Sequence, residues 1–351
     1  MEQGKNFGII GVGTWGEMHA RTYANTPGVH LEAICDINLE RALKVNEIIG
    51  GNAKIYTDYQ DLLSNPTITA VSIVLPDHLH RDAVIAAARA GKHILLEKPL
   101  ATTEEDGRAI LAAVEKANVY LMVDFHNRWS PPFNALKEAL DSGELGVPRT
   151  ISFRLNDTLY VPTKMLSWSA HSSVAWFLAS HCLDTLLWLT HARVGMDAVE
   201  RLFCVSRSHV LKQKGINTPD LYQTLLEFRS GLVVHLENAW ILPEGSPSVF
   251  ELKCECIGER GAFYIDGSYH GTQKIVTRTV YPDALVAPRV NSQPTGFAVE
   301  SIRHFANSVI KSTPPLVDGR DGLAVTRLIL AMEASAESGQ PINVKDIWQQ
   351  P

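Results

Sequence analysis

Three features that mark other classes of protein are missing from this sequence. Basic residues are not in excess, because 32 Lys and Arg stand against 38 Asp and Glu, for a net charge of −6. Nucleic acid and anionic membranes are therefore poor partners. No apolar run approaches the ~20 residues that span a membrane, and the first residues, MEQGKNFGII, lack the basic and apolar regions of a signal peptide. We expect a cytoplasmic protein with no nucleic-acid or membrane partner.

Cysteine is sparse, and its spacing does not favour a metal site. The five cysteines, at 35, 182, 204, 254 and 256, form no CxxC pair. Cys254 and Cys256 alternate along a strand-like run, so their side chains share one face of a sheet. We predict buried thiols there and expect no metal. Low-complexity segments and short repeats are also absent, and 351 residues of which 45% are apolar suffice for two domains.

A glycine-rich turn is the strongest signal that is present. Residues 7–16 read FGIIGVGTWG, in which a short apolar run enters the turn and a helical pattern follows it. Gly11 permits the tight turn, Gly13 lets the backbone approach a pyrophosphate, and Gly16 lets the helix pack close to the strand. The helix N-terminus then offers N–H groups and a positive dipole end to the phosphates. The predicted cofactor contacts of this turn are Gly11, Gly13, Thr14, Trp15 and Gly16.

An acidic residue completes this pattern. A second apolar run, Leu31–Cys35, leads to Asp36, about 20 residues after Gly16. A carboxylate there can accept hydrogen bonds from both hydroxyls of the adenosine ribose, and it would repel the 2′-phosphate of NADP. The nearest arginine, Arg41, lies a helical turn further on. NAD is therefore the predicted cofactor.

The first third of the chain alternates apolar runs with helical patterns. Strands are predicted at 7–10, 31–35, 70–75, 93–96 and 120–123, with helices between them at about 16–26, 39–49, 79–90 and 103–117. Near-continuous apolar strands separated by helices imply a parallel sheet covered on both faces. We predict an α/β domain over residues 1–124, an NAD-binding Rossmann domain with a doubly wound parallel sheet.

The pattern changes over residues 125–351, which predict an α+β domain. Helices are expected at about 132–140, 173–190, 297–311 and 320–338, and alternating strands at 149–156, 199–206, 221–228, 232–240, 249–257 and 262–266. Alternation of apolar and polar residues indicates a large, mostly antiparallel open sheet with one exposed face. We expect this domain to cover the cofactor and to supply the substrate contacts.

Two predicted strand ends carry the residues expected near the nicotinamide. One strand continues as VLPDHLH (74–80) and the next as LLEKPL (95–100). Ligands of doubly wound folds lie beyond these carboxyl ends. An ammonium at Lys98 can hydrogen-bond the reacting oxygen and stabilise developing negative charge, so Lys98 is a predicted catalytic residue. The predicted cofactor contacts here are Leu75, Pro76, His80, Glu97 and Lys98; for His78 and His80, capping of the following helix is the alternative.

The sequence resembles the glucose-fructose oxidoreductase / inositol dehydrogenase / MocA family over nearly its whole length. The resemblance rests on GVGTWGEMHA with Asp36, on LPDHLHRDAVIAAARAGKHILLEKPLA, and on SHCLDTLLWL at 180–189. It implies a Rossmann domain followed by an α+β domain, whose open sheet often serves as an interface in dimers or tetramers. A cis Lys98–Pro99 bond and a sugar, inositol or nucleotide-sugar substrate are also implied. Carried over to this chain, Lys98 and His181 would flank the substrate carbon that exchanges hydride.

The surroundings of His181 depart from the family pattern. His181 and Asp184, at i and i+3 of a predicted helix, share a face; His181 can take a hydroxyl proton, and Asp184 could orient the imidazole or hold a sugar hydroxyl. Relatives usually have an aspartate four residues earlier in D-x-G-x-H, where this chain has Phe177 and, at the glycine, Ala179. We hypothesise that Phe177 lies beneath His181, lowers its pKa by desolvation, and leaves the site reliant on Lys98 for the proton.

Further substrate contacts are predicted on two segments. Arg128 lies in HNRWSPP, where a structural ion pair is the equal alternative. The stretch YVPTKMLSWSAHSS (160–173) is rich in groups that stack on sugar rings and hydrogen-bond hydroxyls. The candidates, with Asp184 from the helix, are Arg128, Tyr160, Lys164, Trp168 and His171.

The motifs predict an NAD-dependent oxidoreductase. The resemblance implies that it transfers a hydride between nicotinamide and a secondary alcohol or ketone of a sugar, inositol or related cyclic polyol, as a homodimer or homotetramer. Two alternatives stay open on the sequence. One is a glycosidase that retains NAD, oxidises a sugar, eliminates its substituent and reduces the ring again. The other is a non-catalytic NAD- or sugar-binding protein, which Phe177 would favour.

Overall fold

The computed structural model describes residues 4–194, 199–270, 281 and 283–344. They divide into two compact units. The first comprises the described residues up to Trp129 together with Leu285–Ala324, and the second those of Ser130–Ala284 and from Val325 onward. This division differs from the predicted boundary after residue 124, because segment 285–324 packs with the first unit.

The first unit is built on a six-stranded parallel sheet. Its strands follow the order β3-β2-β1-β4-β5-β6, the order of doubly wound dinucleotide-binding folds. They are β1 (Lys5–Ile10), β2 (Val29–Cys35), β3 (Lys54–Tyr56), β4 (Ala70–Ile73), β5 (His93–Leu96) and β6 (Leu121–Val123). Both β4 and β6 are buried along their whole length, which is why they read as apolar runs. The predicted Rossmann architecture is confirmed, with β3 added.

Helices cover this sheet, numbered in chain order as α1 (Thr14–Ala24), α2 (Leu39–Ile48), α3 (Tyr59–Leu63), α4 (His80–Arg89) and α5 (Glu104–Ala117). Side chains at three N-caps fix where helices start, because Asn38, Asp58 and Thr103 accept backbone N–H groups of the first turns of α2, α3 and α5. Helix α9 (Phe297–Lys311) comes from late in the chain and packs against α1. There Phe305 meets Phe7 of β1, with ring centroids 6.2 Å apart. A two-stranded ribbon, β13 (Arg289–Val290) with β14 (Gln293–Pro294), precedes α9.

The second unit is built on a seven-stranded mixed sheet in the order β12-β11-β7-β10-β9-β8-β15. Its strands are β7 (Pro148–Thr158), β8 (Val199–Arg207), β9 (Leu221–Phe228), β10 (Val233–Leu242), β11 (Phe250–Gly258), β12 (Ala262–Asp266) and β15 (Ile342–Asn343). Neighbours are antiparallel except at the centre, where β7 and β10 run parallel. The predicted mostly antiparallel open sheet is confirmed.

Helix α6 (Pro131–Asp141) and helix α7 (Ser180–Val194) pack against each other, and α7 also contacts β7. The remaining helices are α8 (Val210–Gln213) and α10 (Gly319–Ser338). The regular helix predicted from residue 173 is wrong in its first part. Residues Ala175–Ala179 form a π-helical turn, and the α-helix starts at Ser180.

The two faces of this sheet differ in exposure. Cys254 and Cys256 lie on the buried face, as the sequence predicts, and all five cysteines are buried free thiols. The other face exposes large apolar side chains between ion pairs such as Arg201–Glu227. The exposed set is Phe203, Leu225, Val233, Ile257 and Tyr264. Within the described part of the chain, no helix is both long and apolar enough to cross a bilayer.

Candidate active site

The three glycines of the turn between β1 and α1 each meet a different steric demand. Gly11 has φ +88°, and a Cβ there would stand 2.2 Å from the carbonyl oxygen of Val74. A Cβ on Gly16 would come within 2.1 Å of the Gly11 oxygen. Gly13, the N-cap of α1, has open space where its Cβ would be. The turn is therefore closed on its inner side and open in front of the helix N-terminus, which fits the approach of a pyrophosphate.

Asp36 is held next to this turn by backbone donors. Its Oδ2 accepts a hydrogen bond of 3.0 Å from the N–H of Val12, and its Oδ1 accepts one of 2.8 Å from the N–H of Asn38. Arg41 reaches the carboxylate as well, with Nη1 3.3 Å from Oδ2. The structure thus brings the predicted ribose-binding acid to the glycine turn. Thr14 is exposed and Trp15 half-buried in the same region.

The ends of β4 and β5 carry the other predicted cofactor residues. Leu75 and Pro76 are half-buried just beyond β4, and the exposed His78 follows them. His80 is fully buried, with Nδ1 2.7 Å from the Pro99 oxygen and Nε2 2.9 Å from the Leu75 oxygen. Its ring therefore links the two strand ends through both of its nitrogens, and the cofactor contact of His80 stays a prediction.

Lys98 follows β5 and is one of the more deeply held cations of the first unit. Only 9% of it is exposed, and its bond to Pro99 is cis, as the family resemblance implied. The backbone N–H of Lys98 donates a hydrogen bond to the carboxylate of Glu97. The indole N–H of Trp15, from the glycine turn, donates to the same carboxylate. Glu97, which is itself buried, therefore ties the lysine segment to the turn.

A buried polar cluster surrounds Glu97. Nε2 of His19 lies 3.0 Å from Oε1 of Glu97 and 3.8 Å from Oδ2 of Asp124, and one nitrogen or oxygen atom of each of these three residues lies within 4.8 Å of the others. Burial raises the pKa of Glu97 to about 7, against the opposing charge of Lys98. Burial, reinforced by Glu97, likewise raises the pKa of Asp124 to about 7. Burial lowers the pKa of His19 to about 4, although Asp124 opposes the shift.

Sequence reasoning missed this cluster, although α1 carries a signal for it. Trp15, His19 and Tyr23 follow one another at i, i+4 and i+8, so all three project from one face of α1. His19 and Tyr23 on that face are fully buried. A polar stripe on a buried helical face must find partners inside the fold.

The segment after β6 places Arg128 in an ion pair. Its Nη2 lies 3.0 Å from Oδ1 of Asp321, and the guanidinium is nearly buried, which favours the structural alternative for this residue. His126 lies between Trp15 and Phe297, with ring centroids 5.9 Å and 5.5 Å away. Burial, with the charges of Lys98 and His19, lowers the pKa of His126 to about 3.

In the second unit, His181 is the second residue of α7 and Asp184 lies one turn later. Both are buried, at 9% and 1% exposure, on one face of the helix. The π-helical turn before α7 changes the predicted geometry, because Phe177 precedes His181 by four residues that do not follow a regular α-helix. π-turns of this kind are frequent at functional sites.

Phe177 belongs to an aromatic group beside α7. Its half-buried ring lies 5.6 Å from the buried ring of Trp240 and 6.3 Å from that of Trp168, which is also half-buried. Nε1 of Trp240 in turn donates a 3.3 Å hydrogen bond to Asp157. The rings of Trp168 and Phe177 are therefore both partly exposed to solvent, and the Phe177 ring packs against the buried Trp240.

The other predicted substrate residues are more exposed. Tyr160 is half-buried, with its ring 5.8 Å from that of Tyr281. Lys164 is exposed and pairs with Glu244 at 2.6 Å. His171 is exposed. The structure thus groups His181, Asp184, Trp168 and Phe177 in the second unit, while Lys98 and the glycine turn belong to the first.

Comparisons with known proteins bear on the fold and the enzyme class. Residues 5–125 match the profile described as the oxidoreductase family with an NAD-binding Rossmann fold, and residues 133–264 match the GFO/IDH/MocA C-terminal domain. The myo-inositol 2-dehydrogenase of Thermotoga maritima is 24% identical over 341 residues, which cover 97% of this chain and 98% of the relative. The levoglucosan dehydrogenase of Pseudarthrobacter phenanthrenivorans is 34% identical over 213 residues, or 56% of this chain and 54% of the relative.

A solved structure shares the fold. The scyllo-inositol dehydrogenase of Lactobacillus casei, crystallised with NAD(H) and scyllo-inositol, superposes with a TM-score of 0.80 at 18% identity, covering 98% of this chain and all of the other. The predicted cofactor, NAD, and the predicted enzyme class, an oxidoreductase acting on CH–OH groups, are both confirmed. From its glycine turn to its mixed sheet, the chain belongs to the glucose-fructose oxidoreductase / inositol dehydrogenase / MocA (GFO/IDH/MocA) family of oxidoreductases.

Proposed function

We propose that the protein is an NAD-dependent dehydrogenase or reductase of a secondary alcohol or ketone in a sugar, inositol or related cyclic polyol. One observation carries the proposal. Lys98 is held nine-tenths buried where β5 ends, on a segment that Glu97 ties to the glycine turn. Ligands of this fold lie beyond the carboxyl ends of the strands, so a lysine fixed there is placed to act on a ligand that shares the cofactor crevice.

The residues divide the work by their chemistry. Bound NAD supplies the nicotinamide carbon that accepts or gives the hydride. Lys98 hydrogen-bonds the reacting oxygen and stabilises the negative charge that develops on it. His181 accepts the hydroxyl proton in the oxidation and returns it in the reduction. Asp184, on the same face of α7, orients the imidazole or holds a hydroxyl of the substrate.

A cyclic polyol is the substrate class that best fits the second unit. The half-exposed rings of Trp168 and Phe177 offer an apolar surface for the C–H face of a sugar ring. Relatives named for myo-inositol, levoglucosan and D-apiose support the same class.

We also propose that the chain works as a homo-oligomer in the cytoplasm. The exposed sheet face, with Tyr264 66% exposed and Phe203, Leu225, Val233 and Ile257 around it, suits a self-complementary contact with a second copy. Five buried free thiols are consistent with a reducing compartment.

The test is a spectrophotometric assay of NADH with a panel of myo-inositol, scyllo-inositol, levoglucosan and D-apiose. We expect NADH to form with at least one of these, and Lys98→Met to abolish its formation. Lys116→Met, the same change at an exposed position of α5, is the matched control. Consumption of a glycoside with no net change in NADH would instead establish the NAD-retaining elimination. If no compound reduces NAD and no glycoside is consumed, the proposed activity is refuted.

A further inference from the structure

The polar cluster around Glu97 forms a continuous chain of hydrogen bonds inside the first unit. The hydroxyl of Tyr23 lies 2.6 Å from Oγ of Ser72, which lies 3.1 Å from Nδ1 of His19. Nε2 of His19 contacts Glu97, Glu97 contacts Asp124, and Oγ of Ser301 donates to Oδ1 of Asp124. Five segments of the chain supply these groups: α1, β4, the ends of β5 and β6, and α9. The members are Tyr23, Ser72, His19, Glu97, Asp124 and Ser301.

The donors and acceptors of this cluster are all matched when the carboxyl pair holds one proton. If Tyr23 donates to Ser72 and Ser72 donates to Nδ1 of His19, the neutral imidazole carries its proton on Nε2 and donates it to Glu97. The two carboxyl groups are both acceptors when ionised, and the buried Oδ2 of Asp124 has no hydrogen-bond donor among the described residues, so one proton on the pair is needed to satisfy it. With that proton present, the cluster carries a single negative charge.

The charges that face the pair support this count. Lys98 acts on Glu97 from the adjoining segment, and the neutral His19 faces both carboxyls from α1. His126, behind Trp15, and Tyr23 are buried in their uncharged forms. Both carboxyls are buried, so two negative charges side by side would be opposed by the single positive charge of Lys98. One negative charge balances that lysine.

We propose that Glu97 and Asp124 share one proton, and that this singly charged pair is a positioning device for Lys98. Glu97 accepts the backbone N–H of Lys98, so the orientation of its carboxylate fixes the peptide from which the lysine side chain extends. When the pair releases its proton to solvent, the two carboxylates repel each other and Glu97 turns away from Asp124. The lysine segment then loses its anchor. The second part of this inference rests on the proposed role of Lys98.

Asp124→Asn is the central variant, because an amide imitates the protonated acid. Its NH2 can donate to Glu97, and its oxygen can accept from Ser301. We expect the wild type to lose kcat/KM as pH rises through about 7, and Asp124→Asn to keep its activity and lose this alkaline limb. Ser301→Ala removes a donor that favours the ionised pair, so the limb should move to higher pH. Asp141→Asn, an exposed site on α6, is the matched control and should leave the profile unchanged.

Infrared titration of the protein without substrate tests the shared proton independently of any activity. We expect a protonated-carboxyl C=O band in the wild type that disappears above pH 7. The difference between the spectra of the wild type and Asp124→Asn should contain this band. If the difference spectrum lacks it, the pair never held a proton. Comparison with this variant also removes the contribution of Glu333, whose pKa burial raises to about 7.

The possible outcomes test the shared proton and the proposed function separately. An unchanged alkaline limb in Asp124→Asn, or no infrared band that depends on Asp124, overturns the shared proton. Stoichiometric metal bound by the wild type and lost in Asp124→Asn would also overturn it, in favour of a cation held by His19, Glu97 and Asp124. If no substrate is turned over, the proposed function fails, and the infrared titration still supports or refutes the protonated pair.

Discussion

Replacing Gly13 by alanine should separate cofactor binding from folding. Gly13 has φ −64° and ψ −161°, which alanine adopts readily, and its Cβ would meet no protein atom within 4 Å. Alanine at such a position stabilises a protein by about 0.4–1 kcal/mol through the unfolded chain. The same methyl group would fill the space in front of α1 that a pyrophosphate must enter. We therefore expect a stable variant that binds NAD weakly.

The size of the loss follows from the hydrogen bonds at stake. Displacing the pyrophosphate from the α1 N-terminus forfeits at least one hydrogen bond to a charged group, which contributes about 1.5–3 kcal/mol. Because about 1.4 kcal/mol corresponds to a tenfold change, the affinity for NAD should fall roughly 10- to 100-fold. Calorimetric titration with NAD measures the affinity, and the melting temperature without ligand measures the fold.

Two further glycines provide the comparison. Gly16→Ala puts a Cβ 2.1 Å from the Gly11 oxygen, so the backbone must shift and the melting temperature should drop. Gly245→Ala, in open space in the second unit, should leave the affinity for NAD unchanged and should not lower the melting temperature. If Gly13→Ala binds NAD as the wild type does, the assignment of this turn to the pyrophosphate is refuted. A melting temperature as low as that of Gly16→Ala would contradict the steric argument.

Four other changes have definite expectations. His181→Asn should lower kcat about 10²- to 10⁴-fold in steady-state assays, with NAD affinity unchanged in calorimetry. Phe177→Asp should raise the pKa of His181 and move the acidic limb of the pH–rate profile to higher pH; an identical limb would contradict the desolvation hypothesis. Asp124 has a raised pKa in the folded state, so its contribution to stability is complete below about pH 4 and is lost as pH rises through 7; Asp124→Asn should remove a slope of about 1.4 kcal/mol per pH unit from urea-unfolding free energies over that range. Tyr264→Glu should reduce the molar mass in light scattering if the exposed sheet face joins subunits, and an unchanged mass would place the interface elsewhere.

Local patterns predicted much of the first unit. Its long strands are apolar because both sheet faces are covered. The glycine turn is recognisable in the sequence because its backbone has requirements that only glycine meets. The sequence patterns did not predict β3 and α3, because three and five residues are too few to show a periodic pattern. The cis Lys98–Pro99 bond came only from the family resemblance.

Features that depend on distant contacts could not be predicted. Nothing in the residues of β7 or β10 indicates that these two strands run parallel in an otherwise antiparallel sheet. The π-helical turn at Ala175–Ala179 has the composition of an ordinary helix. His19, Glu97 and Asp124 are separated by 78 and 27 residues along the sequence, and only folding reveals that they share a buried site.

The position of α9 late in the sequence has a consequence for folding during synthesis. The helix that covers Phe7 and delivers the Ser301 hydroxyl to Asp124 lies beyond residue 296, so a ribosome must translate most of the message before the nucleotide-binding half has all its parts. A fragment that ends at residue 124 would leave the apolar flank of α1 bare to water. Such a truncated protein should bind chaperones or aggregate. Residues 285–324, added as a separate peptide, should restore its solubility.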